Sequence, residues 1–105
     1  MSSTHTVGLS EDCGVILADG TKALAYRHAQ IDPYVDICEK VTLDFSGVRS
    51  ANSSFMNALI SGLLEHHGEA VLEKLVFKGC KPAVAVLVES AIELGIRKSG
   101  GRVPA

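Results

Sequence analysis

Val41–Leu64 reads VTLDFSGVRSANSSFMNALISGLL. Val41, Leu43 and Phe45 alternate with Thr42 and Asp44, the period-two pattern of a strand with one apolar face. Ser46-Gly47 begins a turn. From Ser53 the period changes: Phe55, Met56, Leu59, Ile60, Leu63 and Leu64 recur at spacings of one, three and four, a wide apolar helical stripe. Asn57, Ser61, Glu65 and His66 lie off that stripe, and Gly68 is placed to end the helix as its C′ residue. A strand that runs through a polar turn into an amphipathic helix makes this an α/β chain.

Working outward, Thr4–Leu9 reads as a first strand and Gly14–Leu17 as a short second one, hairpin-paired with it. Asp19 is a good N-cap for a helix over Gly20–Gln30, in which Ala23, Leu24, Tyr26, Arg27 and Ala29 fall in helical order. Asp32-Pro33 breaks or restarts that helix, and Tyr34, Val35, Ile37 and Cys38 continue the apolar pattern. Beyond the central stretch, a strand is expected at Lys74–Lys78 and a turn at Gly79-Cys80-Lys81. Pro82 then opens a helix over Ala83–Leu94, with Gly95 as its stop. Residues 96–105 read as a short basic tail. The expected architecture is a small α/β sandwich: a mixed sheet of about four strands with helices packed on it, one domain over residues 1–95.

Bulk properties narrow the function classes. With 105 residues, the chain holds one core and has no room for separate catalytic and substrate domains. A net charge of -2 provides no long-range attraction to nucleic acid or anionic membrane. With no tryptophan, three phenylalanines and two tyrosines, an aromatic platform for single-stranded nucleic acid is not available. No apolar run approaches the roughly 20 residues a bilayer needs, and the polar start lacks the basic and apolar blocks of a secretory signal. A cytoplasmic location is therefore expected, and three scattered cysteines fit reduced thiols there. Neither a dinucleotide fingerprint nor a phosphate-binding Gly-Lys-Ser/Thr loop occurs, so no cofactor is expected.

The chemistry-bearing residues gather around the central turn. Asn52, Ser53 and Ser54 stand where a helix presents unpaired backbone donors, so one of them caps it. Capping accounts for one residue of the three. A phosphoryl group on Ser53 would place nearly two negative charges at the favourable end of the helix field. Asp44 either bonds the following turn or supplies charge to a partner, and Arg49 either pairs with Asp44 or meets that partner. His66-His67 ends a helix; a metal role for it would need convergence with Cys38 or Cys80, whose spacing is unlike a zinc knuckle, and no metal site is expected.

The strand VTLDFSGV followed by RSANSSFMNAL resembles the STAS-like domain family, itself similar to the STAS domains of anti-sigma-factor antagonists. The strand at Leu75–Phe77 and the helix at Pro82–Leu94 follow in the family's order, and Arg27 lies on the preceding helix. Antagonist turns read Asp-Ser-Ser/Thr-Gly. The resemblance places Asn52 at the Asp position, Ser53 at the phosphoserine, Ser54 at the next hydroxyl and Phe55 at the Gly position. It implies a non-enzymatic regulatory module that switches partners under a histidine-kinase-type ATPase. The implied binding surface comprises Asp44, Arg49, Asn52, Ser53, Ser54 and Asn57. A structural or homodimeric assembly domain is the alternative, and a small enzyme using Cys80 or the histidines comes third. A nucleic-acid adaptor, resting on the basic tail, is fourth.

Overall fold

The computed structural model describes residues 3–100. Strands β1 (Thr4–Gly8), β3 (Lys40–Asp44) and β5 (Leu75–Lys78) form a parallel sheet in the order β1-β3-β5. The register aligns His5 with Val41 and Val41 with Leu75, then Val7 with Leu43 and Leu43 with Phe77. Those rows face the core. The alternate row, Thr6, Thr42 and Val76, faces outward, with Thr6 and Val76 exposed. The sheet grows in one direction only, so right-handed crossovers carry the helices between its strands over a single face.

The expected mixed sheet of about four strands does not form. β2 (Ile16–Leu17) pairs with β4 (Ser50–Ala51) in a separate two-stranded sheet, also parallel, instead of folding back on β1. Between β1 and β2 the chain forms α1 (Leu9–Cys13), which buries Leu9 and Cys13, in place of the tight turn a hairpin needs. The β1 and β3 chains therefore run side by side twice, interrupted by α1 on one and by the turn at 45–49 on the other. Ser10 Oγ bridges the two interruptions by donating to the Ser46 carbonyl at 2.8 Å.

The helices pack as a layer. α2 (Gly20–Gln30) is capped as expected, Asp19 Oδ1 accepting from the Thr21 and Lys22 amides at 3.0 and 3.3 Å. The chain restarts as α3 (Asp32–Val35), so two helices form where one kinked helix was the alternative. The central helix begins as α4 (Ser53–Met56), widens into a π-helical turn (Asn57–Ser61) and continues as α5 (Gly62–His67), closed by Gly68. It lies between α2 and α6 (Pro82–Gly100). Leu59, Ile60, Leu63 and Leu64 are fully buried together with Phe45, Phe55 and Met56. Burying such side chains stabilises by about 1.5–3 kcal/mol each, which identifies this stripe as the main driving force for the layer. A 3₁₀ segment (Glu69–Glu73) then leads to β5.

Two expectations about this layer are corrected. Ser61, read as lying on the polar side, is buried and donates to the Ala91 carbonyl of α6 at 2.6 Å. The π-turn carries an extra residue per turn and rotates Ser61 inward. Gly95, read as a helix stop, lies inside α6, which runs on to Gly100. A Cβ there would stand 2.9 Å from Leu64 Cβ and 3.1 Å from Ser61 Cα. The glycine permits α6 to approach the central helix. Ile96 packs on the core, and Lys98 lies 3.7 Å from Glu65, so residues 96–100 of the expected tail are helical; residues 101–105 lie outside the described residues.

Candidate functional site at the C-terminal ends of the strands

Parallel strands point their C-terminal ends to one edge of the molecule, where the helices that follow them begin. β3 ends at Asp44, β4 at Ala51, and α4 opens at Ser53. The start of α2 meets the start of α4 here: a Cβ on Gly20 would lie 2.5 Å from Ser54 Oγ. The turn after β5 closes the group from the other side. Gly79 has φ +70°, and a Cβ on it would collide with the Ser46 hydroxyl and approach the Ser46 amide nitrogen to 2.7 Å. Only glycine fits that turn without displacing Ser46.

Asn52 is the cap. Its Oδ1 accepts from the Phe55 amide at 2.9 Å, while Nδ2 donates to the Ala18 carbonyl at 2.9 Å. Its backbone N–H donates to Leu17 at 2.9 Å. One side chain thus fastens the helix start to the end of β2. Ser53 and Ser54 are exposed, and among the described residues no side-chain hydrogen bond engages either hydroxyl. Phe55, at the next position, is buried in the core. Asn57 is half-buried at the start of the π-turn, its N–H shared between the Ser53 and Ser54 carbonyls.

Asp44 accepts from the Ser46 amide at 2.9 Å. The Ser46 hydroxyl and amide, with a smaller contribution from the Lys78 charge, hold its carboxyl below the usual carboxylate range. Of the two roles offered for Asp44, bonding the following turn is therefore realised. Arg49 is exposed and does not pair with Asp44; the ion pairs among the described residues join other groups. Its backbone donates to Val15 at 2.8 Å, leaving the guanidinium in solvent. The structure gathers Asp44, Arg49, Asn52, Ser53, Ser54 and Asn57 on consecutive segments of one edge.

Sequence reasoning missed Ser46 and Gly79 as parts of this edge. The Ser46-Gly47 turn was legible, but its contact with Gly79 needs the β3–β5 pairing. Cys80 sits beside them, half-buried, and burial together with the Asp44 carboxylate pushes its thiol up. A nucleophilic cysteine needs the opposite shift. His66 and His67 meet Asp32 instead of Cys38 or Cys80.

A family model described as a STAS-like domain of unknown function matches residues 27–85. The chain belongs to this family. The match to the STAS-like domain runs from Arg27 on α2, through β3, the central turn and helix, and β5, into the first turn of α6. Every residue of the candidate edge from Asp44 to Asn57 falls inside it. Neither the curated proteins nor the solved structures contain a match to this STAS-like chain. Among the described residues, no helix is long and apolar enough to cross a membrane.

Proposed function

We propose that this STAS-like domain is a non-enzymatic regulatory module. It binds a protein partner of the histidine-kinase-type ATPase class through the Asp44–Asn57 edge, with Ser53 as the phosphorylated switch residue. The supporting observation is the division of labour at the helix start. Asn52 caps the helix through its bond to the Phe55 amide and ties it to Ala18 through the other end of its side chain, and the Ser53 hydroxyl is left exposed and unengaged among the described residues. A phosphoryl group there would gain from the partial positive charge of the helix start without breaking a bond of the fold. The solvated Arg49 guanidinium on the same edge supplies a cation for a phosphate or for an acidic partner.

The test is quantitative binding to the ATPase recovered with the protein, together with intact-mass analysis that localises any phosphoryl group. Ser53→Asp is expected to change partner affinity about tenfold or more, and Ser53→Ala to bind like the unsubstituted protein while refusing phosphate. Equal affinity for all three proteins would remove the switch. A homodimeric assembly domain is the second reading. It is favoured by the outward row Thr6, Thr42 and Val76, because parallel sheets are normally covered on both faces. A monomeric mass at high concentration would eliminate it.

A further inference from the structure

The chain has four histidines, and three of them surround one carboxylate. Asp32 opens α3 and is half-buried. His67 Nε2 lies 2.9 Å from its Oδ1, and His28 Nε2 lies 3.9 Å from its Oδ2. His66 is exposed and stands edge-on to His67, ring centroids 4.7 Å apart and planes at 89°. One ligand atom from each of Asp32, His66 and His67 falls within 4.8 Å of the others. Separate elements bring them together: His28 is near the end of α2, and the two adjacent histidines close α5.

We propose that Asp32, His66 and His67 bind a divalent transition-metal ion of the zinc class, with the fourth position open to water. Zinc takes imidazole nitrogen and carboxylate oxygen at ~2.0–2.2 Å in a tetrahedron, so neighbouring ligand atoms stand about 3.3 Å apart. The His67–Asp32 separation of 2.9 Å needs only a few tenths of an ångström of opening for the ion to stand in place of the hydrogen bond. The mixed nitrogen and oxygen set does not match the all-oxygen shells of calcium and magnesium, and it lacks the thiolates that soft ions select.

Arg27 holds the same carboxylate and also faces His28, its Nη2 lying 3.3 Å from His28 Nε2. Its Nη1 lies 3.2 Å from Oδ2 and 3.4 Å from Oδ1, and it donates to the Gly62 carbonyl at 3.2 Å. It offsets the charge of Asp32, which leaves the imidazoles to hold the ion. It also fixes the orientation of the carboxylate, as hydrogen-bonded outer partners of metal ligands do. Uptake requires the Nε2 of His67 free of its proton, so the ring proton sits on Nδ1 and the hydrogen bond to Asp32 is exchanged for two bonds to the ion.

The competing role for this cluster is a hydrogen-bonded lock between the ends of α3 and α5. The two roles differ at His66, which makes no hydrogen bond to Asp32 among the described residues and is dispensable to a lock. The experiment titrates tag-free, chelator-stripped protein with Zn²⁺ against a chromophoric chelator, and records the Co²⁺ spectrum as a report on ligand type. One ion per chain is expected, with a cobalt spectrum free of thiolate charge transfer. His66→Ala is expected to weaken zinc uptake roughly tenfold or more while leaving the thermal unfolding of the metal-free protein unchanged. Asp32→Asn is expected to weaken uptake as well. No competition with the chelator, undiminished uptake by His66→Ala, or a thiolate band assigning the metal to cysteine would each overturn the proposal. Should Asp32→Asn fail to fold, the His66→Ala comparison still decides.

Discussion

Asn52 uses both ends of its amide, accepting from Phe55 and donating to Ala18, and a carboxylate in its place can only accept. The bond to Ala18 is the one an aspartate at this position would lose. Asn52→Ala is expected to cost about 1–2 kcal/mol in urea unfolding, the usual loss for a helix cap. Asn52→Asp should fall between the alanine variant and the unsubstituted protein: it keeps the cap and favours the helix dipole, but sets an anionic oxygen against the Ala18 carbonyl. If Asn52→Asp proves as stable as the unsubstituted protein, the bond to Ala18 contributes nothing. Asp44 gives a pH signature. Its folded-state pKa lies below the ordinary value because Ser46 donates to the carboxylate. The stabilisation it brings is therefore complete above the unfolded-state pKa of about 4 and disappears as pH falls through the lower folded value. Comparing Asp44→Asn with the unsubstituted protein, the stability difference should be constant near neutrality and vanish on the acid side. A difference that persists unchanged in acid would locate the effect elsewhere than in the ionised carboxylate.

At the scale of elements, Gly95 reverses an ordinary rule. Glycine to alanine inside an exposed helix stabilises by about 1 kcal/mol, because alanine loses less backbone entropy. Here the added methyl group would stand 2.9 Å from Leu64 Cβ and 3.1 Å from Ser61 Cα, inside van der Waals contact. Gly95→Ala is expected to destabilise by about 1–3 kcal/mol, as overpacking does. A stabilised variant in thermal unfolding would mean that α6 moves away freely. The same position shows why parts of this fold were legible and parts were not. Alternation in Val41–Phe45 and the 3.6-residue stripe after Ser53 are local consequences of burial, and both elements form where the pattern put them. A glycine that ends a helix and a glycine that admits a neighbouring helix look alike until the neighbour is in place. β4 is two residues long and carries no period, and its partner β2 lies more than thirty residues away in the chain. The π-turn shifts the inward face by one residue and has no signature in composition. Of the candidate edge, Asp44 to Asn57 was legible because it is contiguous. The meeting of His67 with Asp32 joins residues 35 positions apart and was not.

Across the whole molecule the helices carry the chain from one end of the strands to the other. α2 and the central helix both begin beside the C-terminal strand ends, at Asp19 and Asn52, and both finish beside Asp32 at the opposite end. The Ser53 edge and the histidine cluster are thus separate poles. Fourteen residues of central helix between Ser53 and His67 span about 20 Å at ~1.5 Å per residue. Groups this far apart with no shared partner change stability additively, within about 0.5 kcal/mol. The double variant Asn52→Ala/His67→Ala is therefore expected to lose the sum of the two single losses in urea unfolding. The element through which any departure from that sum would run is the π-turn, which lies between the poles, packs against α2 and α6, and holds Ser61 on Ala91. If that turn has two arrangements, loosening either end shifts its balance, and the double variant will depart from additivity by about 1 kcal/mol or more. Repeating the cycle in a Ser61→Ala background separates the cases. A coupling that vanishes there runs through the Ser61–Ala91 bond, and additivity in both backgrounds makes the two poles independent sites on one rigid layer.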